Sequence, residues 1–135
     1  MDAKISKTEA EWKQELGPER YRVLRQAGTE PAFSGELLHN KETGVYRCGG
    51  CGAELFASDT KFDSGSGWPS FFAPMAGDRV ELIDDYGHGM HRVEVRCAHC
   101  KSHLGHVFDD GPKPTGQRFC MNSLALDFDG GKPAS

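Results

Sequence analysis

The sequence predicts a mainly β domain with helices confined to its N-terminal end. Three observations carry this. The 135 residues include 17 Gly and 7 Pro, about 18% where about 12% is usual, so turns and short strands outnumber long helices. Helical signals stop at Gly28, beyond which short apolar or alternating segments are punctuated by Gly, Asp and Asn. The length fits one compact domain whose core covers roughly two-thirds of the surface that the unfolded chain exposes, so folding does not require disulfides. We expect a single domain over 1–135, with 1–7 and 129–135 as flexible ends.

Thr8-Glu9-Ala10-Glu11 has the spacing of a capping box. A first short helix follows through Trp12 and Leu16 until Gly17-Pro18 interrupts it. Pro18 suits the first turn of a second helix of about ten residues, which carries Tyr21, Val23 and Leu24 and ends at Gly28 as its cap. From Gly35 onward hairpins are expected, with the better strand candidates at Val80–Ile83, His91–Arg96, His103–Phe108 and Gln117–Phe128. Val93 and Val95 alternate with Glu94 and Arg96, and Leu124, Leu126 and Phe128 alternate with Ala125 and Asp127, so each stretch offers one core face.

The charge balance, 16 Lys plus Arg against 20 Asp plus Glu, and the scatter of the basic residues leave no footprint for a phosphate backbone, so no nucleic-acid partner is expected. No run approaches the roughly 18 apolar residues of a membrane span, and Met1 to Lys7 contains no apolar stretch of the signal-peptide type. A cytoplasmic location without membrane association is the expectation.

In such a setting five cysteines read as metal ligands plus a reactive thiol rather than as a disulfide framework. Cys48-Gly49-Gly50-Cys51 and Cys97-Ala98-His99-Cys100 are two C-x-x-C turns that together supply four thiolates to a tetrahedral zinc ion. With no open position, that Zn2+ is structural, and it joins the first part of the chain to the last. Two redox dithiols are the competing reading, but they would need a βαβ setting that the sequence lacks. A deaminase-type catalytic zinc would need an H-x-E element, also lacking.

Cys120 stands alone in Arg118-Phe119-Cys120-Met121-Asn122. Strand alternation places Arg118, Cys120 and Asn122 on one face, where the guanidinium would favour the thiolate and the amide could donate to a developing oxyanion. A buried core cysteine fits this segment equally well. His103 and His106 could donate a proton near neutral pH, but regular alternation puts them on opposite faces, so joint action requires a bulge, for which Gly105 is the natural place. Ser64-Gly65-Ser66-Gly67-Trp68-Pro69-Ser70-Phe71-Phe72 is a glycine-rich loop leading into aromatics. It suits a small apolar pocket with an indole wall, with core packing as the alternative for Trp68.

In combination, Gly28-Thr29-Glu30-Pro31, Leu38-His39-Asn40, Ser64-Gly65-x-Gly67-Trp68-Pro69-Ser70-Phe71, His103-Leu104-Gly105-His106-Val107-Phe108, Asp110-Gly111-Pro112 and Arg118-Phe119-Cys120-x-Asn122-Ser123 resemble, in order, the motifs of the zinc-containing B-class methionine sulfoxide reductases. The resemblance spans roughly residues 8–128. It implies two small antiparallel sheets of the β-tent type with short N-terminal helices outside. It also implies reduction of methionine-R-sulfoxide, free or in proteins, with thioredoxin or a small-molecule thiol as reductant. Cys120 would be the nucleophile and become a sulfenic acid. Trp68, with Phe71, would form the substrate pocket, and His103, His106, Asn122 and Arg118 would bind and protonate the sulfoxide oxygen.

Many relatives carry a resolving cysteine where this chain has Ser66. A hydroxyl cannot condense with a sulfenic acid, so Cys120 is expected to be recycled only by an external thiol. Two other functions remain to be separated from this one. A zinc-stabilised binding module would have no need of Cys120, and a single-cysteine peroxidase would reduce hydrogen peroxide at least as readily as a sulfoxide.

Overall fold

A computed structural model describes residues 7–130; the expected ends at 1–6 and 131–135 lie outside the described residues. Helix α1 runs over Glu9–Gln26 with Gly17 in a non-helical conformation (φ 81°, ψ 164°), so the two expected helices meet at a kink. The capping box forms as read: Glu11 N–H donates to Thr8 Oγ1 (3.1 Å) and Thr8 N–H to the Glu11 carboxylate (2.8 Å). At the other end the left-handed residue is Ala27 (φ 55°) rather than Gly28. Gly28 N–H closes back on the Arg22 carbonyl at 2.9 Å, a six-residue closure that satisfies a terminal carbonyl.

Among the described residues nine strands follow: β1 Gly44–Cys48, β2 Glu54–Ala57, β3 Lys61–Phe62, β4 Ser70–Phe71, β5 Val80–Asp85, β6 Arg92–Cys97, β7 His103–Phe108, β8 Arg118–Met121 and β9 Leu126–Gly130. They form two antiparallel sheets, in the orders β2-β1-β9 and β3-β4-β8-β7-β6-β5. The expected single strand over Gln117–Phe128 is therefore two strands in different sheets. A 3-10 turn at Ser123–Ala125 separates them, and it buries Ala125 completely, where simple alternation had placed that residue outward. Asp129 and Gly130 pair with Val45 and Gly44, so the last strand extends into the segment expected to be a flexible end.

The sheets meet through aromatic side chains. Phe56 of the small sheet stacks on Phe71 of the large one with centroids 4.4 Å apart, Tyr46 meets Phe71 edge-on at 5.0 Å, and Phe119 completes the group. Such pairs add about 0.5–1.5 kcal/mol each beyond the area they bury. Trp12, Val23 and Leu24 of α1 are buried as well. The same helix reaches the end of β6 through Arg25, whose guanidinium donates to the Cys100 carbonyl at 2.9 Å. Among the described residues no helix is long and apolar enough to cross a membrane.

Candidate active site

Two hairpin turns carry the C-x-x-C pairs, one at the end of β1 and one at the end of β6. Their four sulfurs lie within 4.8 Å of one another, with Cys48 to Cys100 and Cys51 to Cys97 both 3.7 Å apart. A tetrahedron with metal–sulfur bonds of about 2.3 Å has edges of about 3.8 Å, so the spacing fits a four-thiolate ion and is far too long for disulfides. Cys48, Cys51, Cys97 and Cys100 thus form a cluster that could hold a metal ion and clamp one turn of each sheet to the other.

Cys120 sits in β8 with Phe119 and Met121 turned into the core and Arg118 on its own face, as the alternation of that segment requires. Its sulfur borders a cavity of about 90 Å³ whose wall also includes Thr29, Trp68, Arg92, Gly105, His106, Phe108 and Asn122. A larger cleft of about 660 Å³ between α1 and β9 holds neither cysteine nor histidine. His106 lies directly opposite Cys120 in the β7–β8 ladder. The expected irregularity in β7 is present: Val95 pairs with Gly105 but Arg96 pairs with His103, skipping Leu104. This extra residue brings the two imidazoles to one face, 5.5 Å between centroids. Gly105 serves a second purpose, because a Cβ there would stand 2.0 Å from the Cys120 carbonyl. Only glycine lets β7 approach the strand of Cys120 so closely.

Each histidine is held by a carboxylate from the neighbouring strands, which sequence reading missed. His103 Nδ1 is 2.6 Å from Glu94 Oε2, both groups buried, and Arg96 holds the other Glu94 oxygen at 3.1 Å. Burial alone would raise the Glu94 carboxyl, but the hydrogen bonds from Arg96 and His103 outweigh it and hold it below its ordinary value. Burial lowers His103, so near pH 7 a neutral imidazole donates its Nδ1–H to an ionised Glu94. Among the described residues His103 Nε2 has no hydrogen-bond partner. His106 Nε2 lies 2.8 Å from Asp85, whose carboxyl is held at about 2, first by the Gly87 N–H and then by His106. The cavity wall includes His106 but not His103, which stands behind it.

Other expected site residues divide. Trp68 is on the wall, its indole N–H donating to the Glu30 carbonyl at 2.9 Å. Phe71 is not: its partner in register is Phe119, its exposure is 0%, and it belongs to the core between the sheets. The adjacent Ser70 takes the site face instead, opposite Cys120. Asn122 lines the cavity but its amide is engaged, donating to the Leu104 carbonyl (3.1 Å) and accepting from Glu30 N–H (3.0 Å). Glu30 is thus a missed hub. Its backbone holds both Asn122 and Trp68, while its buried carboxylate accepts from Leu124 N–H at 2.9 Å. The signal was the Gly28-Thr29-Glu30-Pro31 motif, whose role only tertiary contacts reveal.

Arg118 acts on the Cys120 thiol in the expected direction, favouring the thiolate, but it does not decide the balance. Burial dominates and raises the thiol, with Ser66 and Arg118 opposing more weakly. The guanidinium is already bonded twice to Asp110, at 2.8 and 3.2 Å, and lies over the Phe108 ring. Iodoacetamide alkylation of Cys120 should therefore titrate above the ordinary thiol value of about 8.5. Asp110→Asn, by leaving the guanidinium less neutralised, should shift that midpoint down and speed alkylation at pH 7 several-fold, since one unit is tenfold in thiolate fraction. Arg118→Ala should shift it up. Equal midpoints in all three proteins would remove Arg118 from any electrostatic role.

Residues 16–130 match the SelR domain family. The chain is similar to the peptide methionine sulfoxide reductase MsrB of Methanosarcina mazei, 60% identical over 125 residues that cover 93% of this chain and 89% of that protein. It is also 60% identical over 124 residues to the protein of that name in Methanosarcina barkeri, covering 92% and 87%. The Acinetobacter baylyi protein of the same name is 56% identical over 125 residues, covering 93% and 90%.

Proposed function

Since the chain belongs to the B-class methionine sulfoxide reductases, the SelR-domain family, we propose that it reduces methionine-R-sulfoxide, in proteins or free, by nucleophilic attack of Cys120 on the sulfoxide sulfur. The observation that carries this reading is one small cavity bordered by a thiol, an indole and an imidazole. A sulfoxide is a pyramidal sulfur bearing an oxygen and, in methionine, a methyl group; separate apolar and hydrogen-bonding walls can therefore tell its two epimers apart. Trp68 takes the methyl group. His106, held by Asp85, hydrogen-bonds the oxygen and supplies its proton, with His103, held by Glu94, against its ring. Asn122 and Glu30 position the walls through the bonds described above.

The step conserves atoms and electrons. Cys120 Sγ bonds to the substrate sulfur while its thiol proton passes to His106; the sulfoxide oxygen, protonated by His106, then moves to Cys120 Sγ as the S–S bond breaks, so the cysteine sulfur loses two electrons and the substrate sulfur gains them. Methionine leaves and Cys120 remains as a sulfenic acid. With the other four cysteines in the cluster and a serine at 66, recycling uses an external thiol, either thioredoxin or a small molecule. The cluster's metal is zinc, which when bound supplies a fixed cross-link and no chemistry of the reaction.

Incubating the protein with the two epimers of a blocked methionine sulfoxide and dithiothreitol tests this reading. Turnover of the R epimer should exceed that of the S epimer by about a hundredfold or more, a difference of about 2.7 kcal/mol or more in transition-state binding. Comparable turnover of both would contradict a two-walled pocket. Faster consumption of hydrogen peroxide than of either epimer would favour the peroxidase alternative.

A further inference from the structure

Cys120 lies between two strands, and the space differs on its two sides. Toward β7, its partner in register is His106, and the small cavity lies there. Toward β4, its partner is Ser70, and the Ser66 hydroxyl stands 3.9 Å from the sulfur. Beyond Ser66 opens a cleft of about 450 Å³, lined among others by Asp63, Ser64, Ser66, Asp110 and Arg118. A cavity of about 90 Å³ accommodates the reacting end of one substrate and little else. The cleft is several times larger and polar.

Displacement at divalent sulfur runs in line, with the entering atom opposite the leaving one. If Cys120 becomes a sulfenic acid by taking oxygen from a substrate in the small cavity, that oxygen lies on the β7 side beside His106. The group that displaces it must then approach from the β4 side. We propose that the cleft behind Ser66 is the entry site for the reducing thiol, separate from the sulfoxide cavity. This inference rests on the functional reading above. The incoming thiol sulfur bonds to Cys120 Sγ, the S–O bond breaks, and the oxygen leaves as water, keeping its own proton and taking the thiol's. Cys120 sulfur is reduced and the incoming sulfur oxidised. A second thiol group of the reductant then attacks the mixed disulfide, restoring the Cys120 thiol and releasing an external disulfide. Two carboxylates, a guanidinium and two hydroxyls on the wall suit a thiol on a polar carrier.

The test separates the two half-reactions. Methionine formed in a single burst without reductant reports the sulfoxide step. Loss of dimedone-reactive sulfenic acid after adding dithiothreitol, or thioredoxin, reports recycling. Asp63 is exposed at the cleft and bonded to Lys41 at 3.2 Å, outside the sulfoxide cavity. Asp63→Trp should leave the burst unchanged and slow recycling, by about tenfold with thioredoxin and less with dithiothreitol. Ser66→Val, at the inner end, should lower the ratio of recycling rate to burst rate about tenfold with both reductants. Parallel loss of burst and recycling in both variants would overturn the proposal by placing both substrates in one cavity. Recycling at the original rate in both variants would overturn it too. If the unaltered chain gives no methionine burst, the functional reading falls and the cleft assignment with it.

Discussion

Cys120→Ser should abolish sulfoxide reduction, lowering turnover by a factor of about 10⁴ or more with dithiothreitol in excess. A serine hydroxyl is a far weaker nucleophile toward sulfur, and an oxygen bound to it could not be released as a sulfenic acid is. The substitution is close to isosteric. Because Cys120 is on the site face of β8 while Phe119 and Met121 fill the core, the melting temperature should change little. The comparison is therefore informative in both directions: methionine release measured by chromatography reports chemistry, and the melting curve reports the fold. Retained turnover in a folded Cys120→Ser protein would reject the nucleophile. It would mean that another group of the site carries the chemistry.

What could be read from the sequence was whatever depends on neighbours along the chain. The two C-x-x-C turns declare their ligand geometry within four residues each, and alternation around Cys120 placed Arg118 with it and Phe119 and Met121 against the core. The irregularity in β7 followed from the demand that His103 and His106 share a face, although the skipped residue is Leu104. What escaped depends on register between strands. Glu94 reads as the solvent side of an alternating strand, yet it is 7% exposed, because the face opposite the core carries the site and buries this carboxylate against His103. Asp85 reaches His106 only because β5 and β6 form a hairpin beside β7. Phe71 was misplaced by its loop context, although the same alternation rule, applied to Ser70-Phe71, sends one residue to the site and the other to the core. The break at Ser123–Ala125 has no glycine or proline to mark it; the chain leaves one sheet for the other there because the core can cover Ala125.

Removal of the zinc ion proposed for the cluster should destabilise the fold itself rather than merely slow the chemistry. Structural zinc in small domains contributes about 10–16 kcal/mol of apparent binding free energy near neutral pH, comparable with or larger than the about 5–15 kcal/mol by which whole domains are stable. Here the four sulfurs tie the β1–β2 turn of one sheet to the β6–β7 turn of the other, and Arg25 couples the helix to the same point. The aromatic contacts between Phe56, Tyr46 and Phe71 and the shared core also join the sheets. Treatment with a strong chelator, with metal content measured in parallel, should lower the melting temperature by about 15 °C or more. Cys51→Ser and Cys97→Ser should behave like the chelated protein, whereas Ser66→Cys, outside the cluster, should not. Activity should fall with the fold, because β7 begins three residues after Cys100 with His103 itself, and the β6–β7 turn sets the offset that brings that imidazole beside His106. A chelated protein that is metal-free, melts unchanged and still turns over sulfoxide would show that four closely packed thiols, not an ion, suffice to hold the two sheets together.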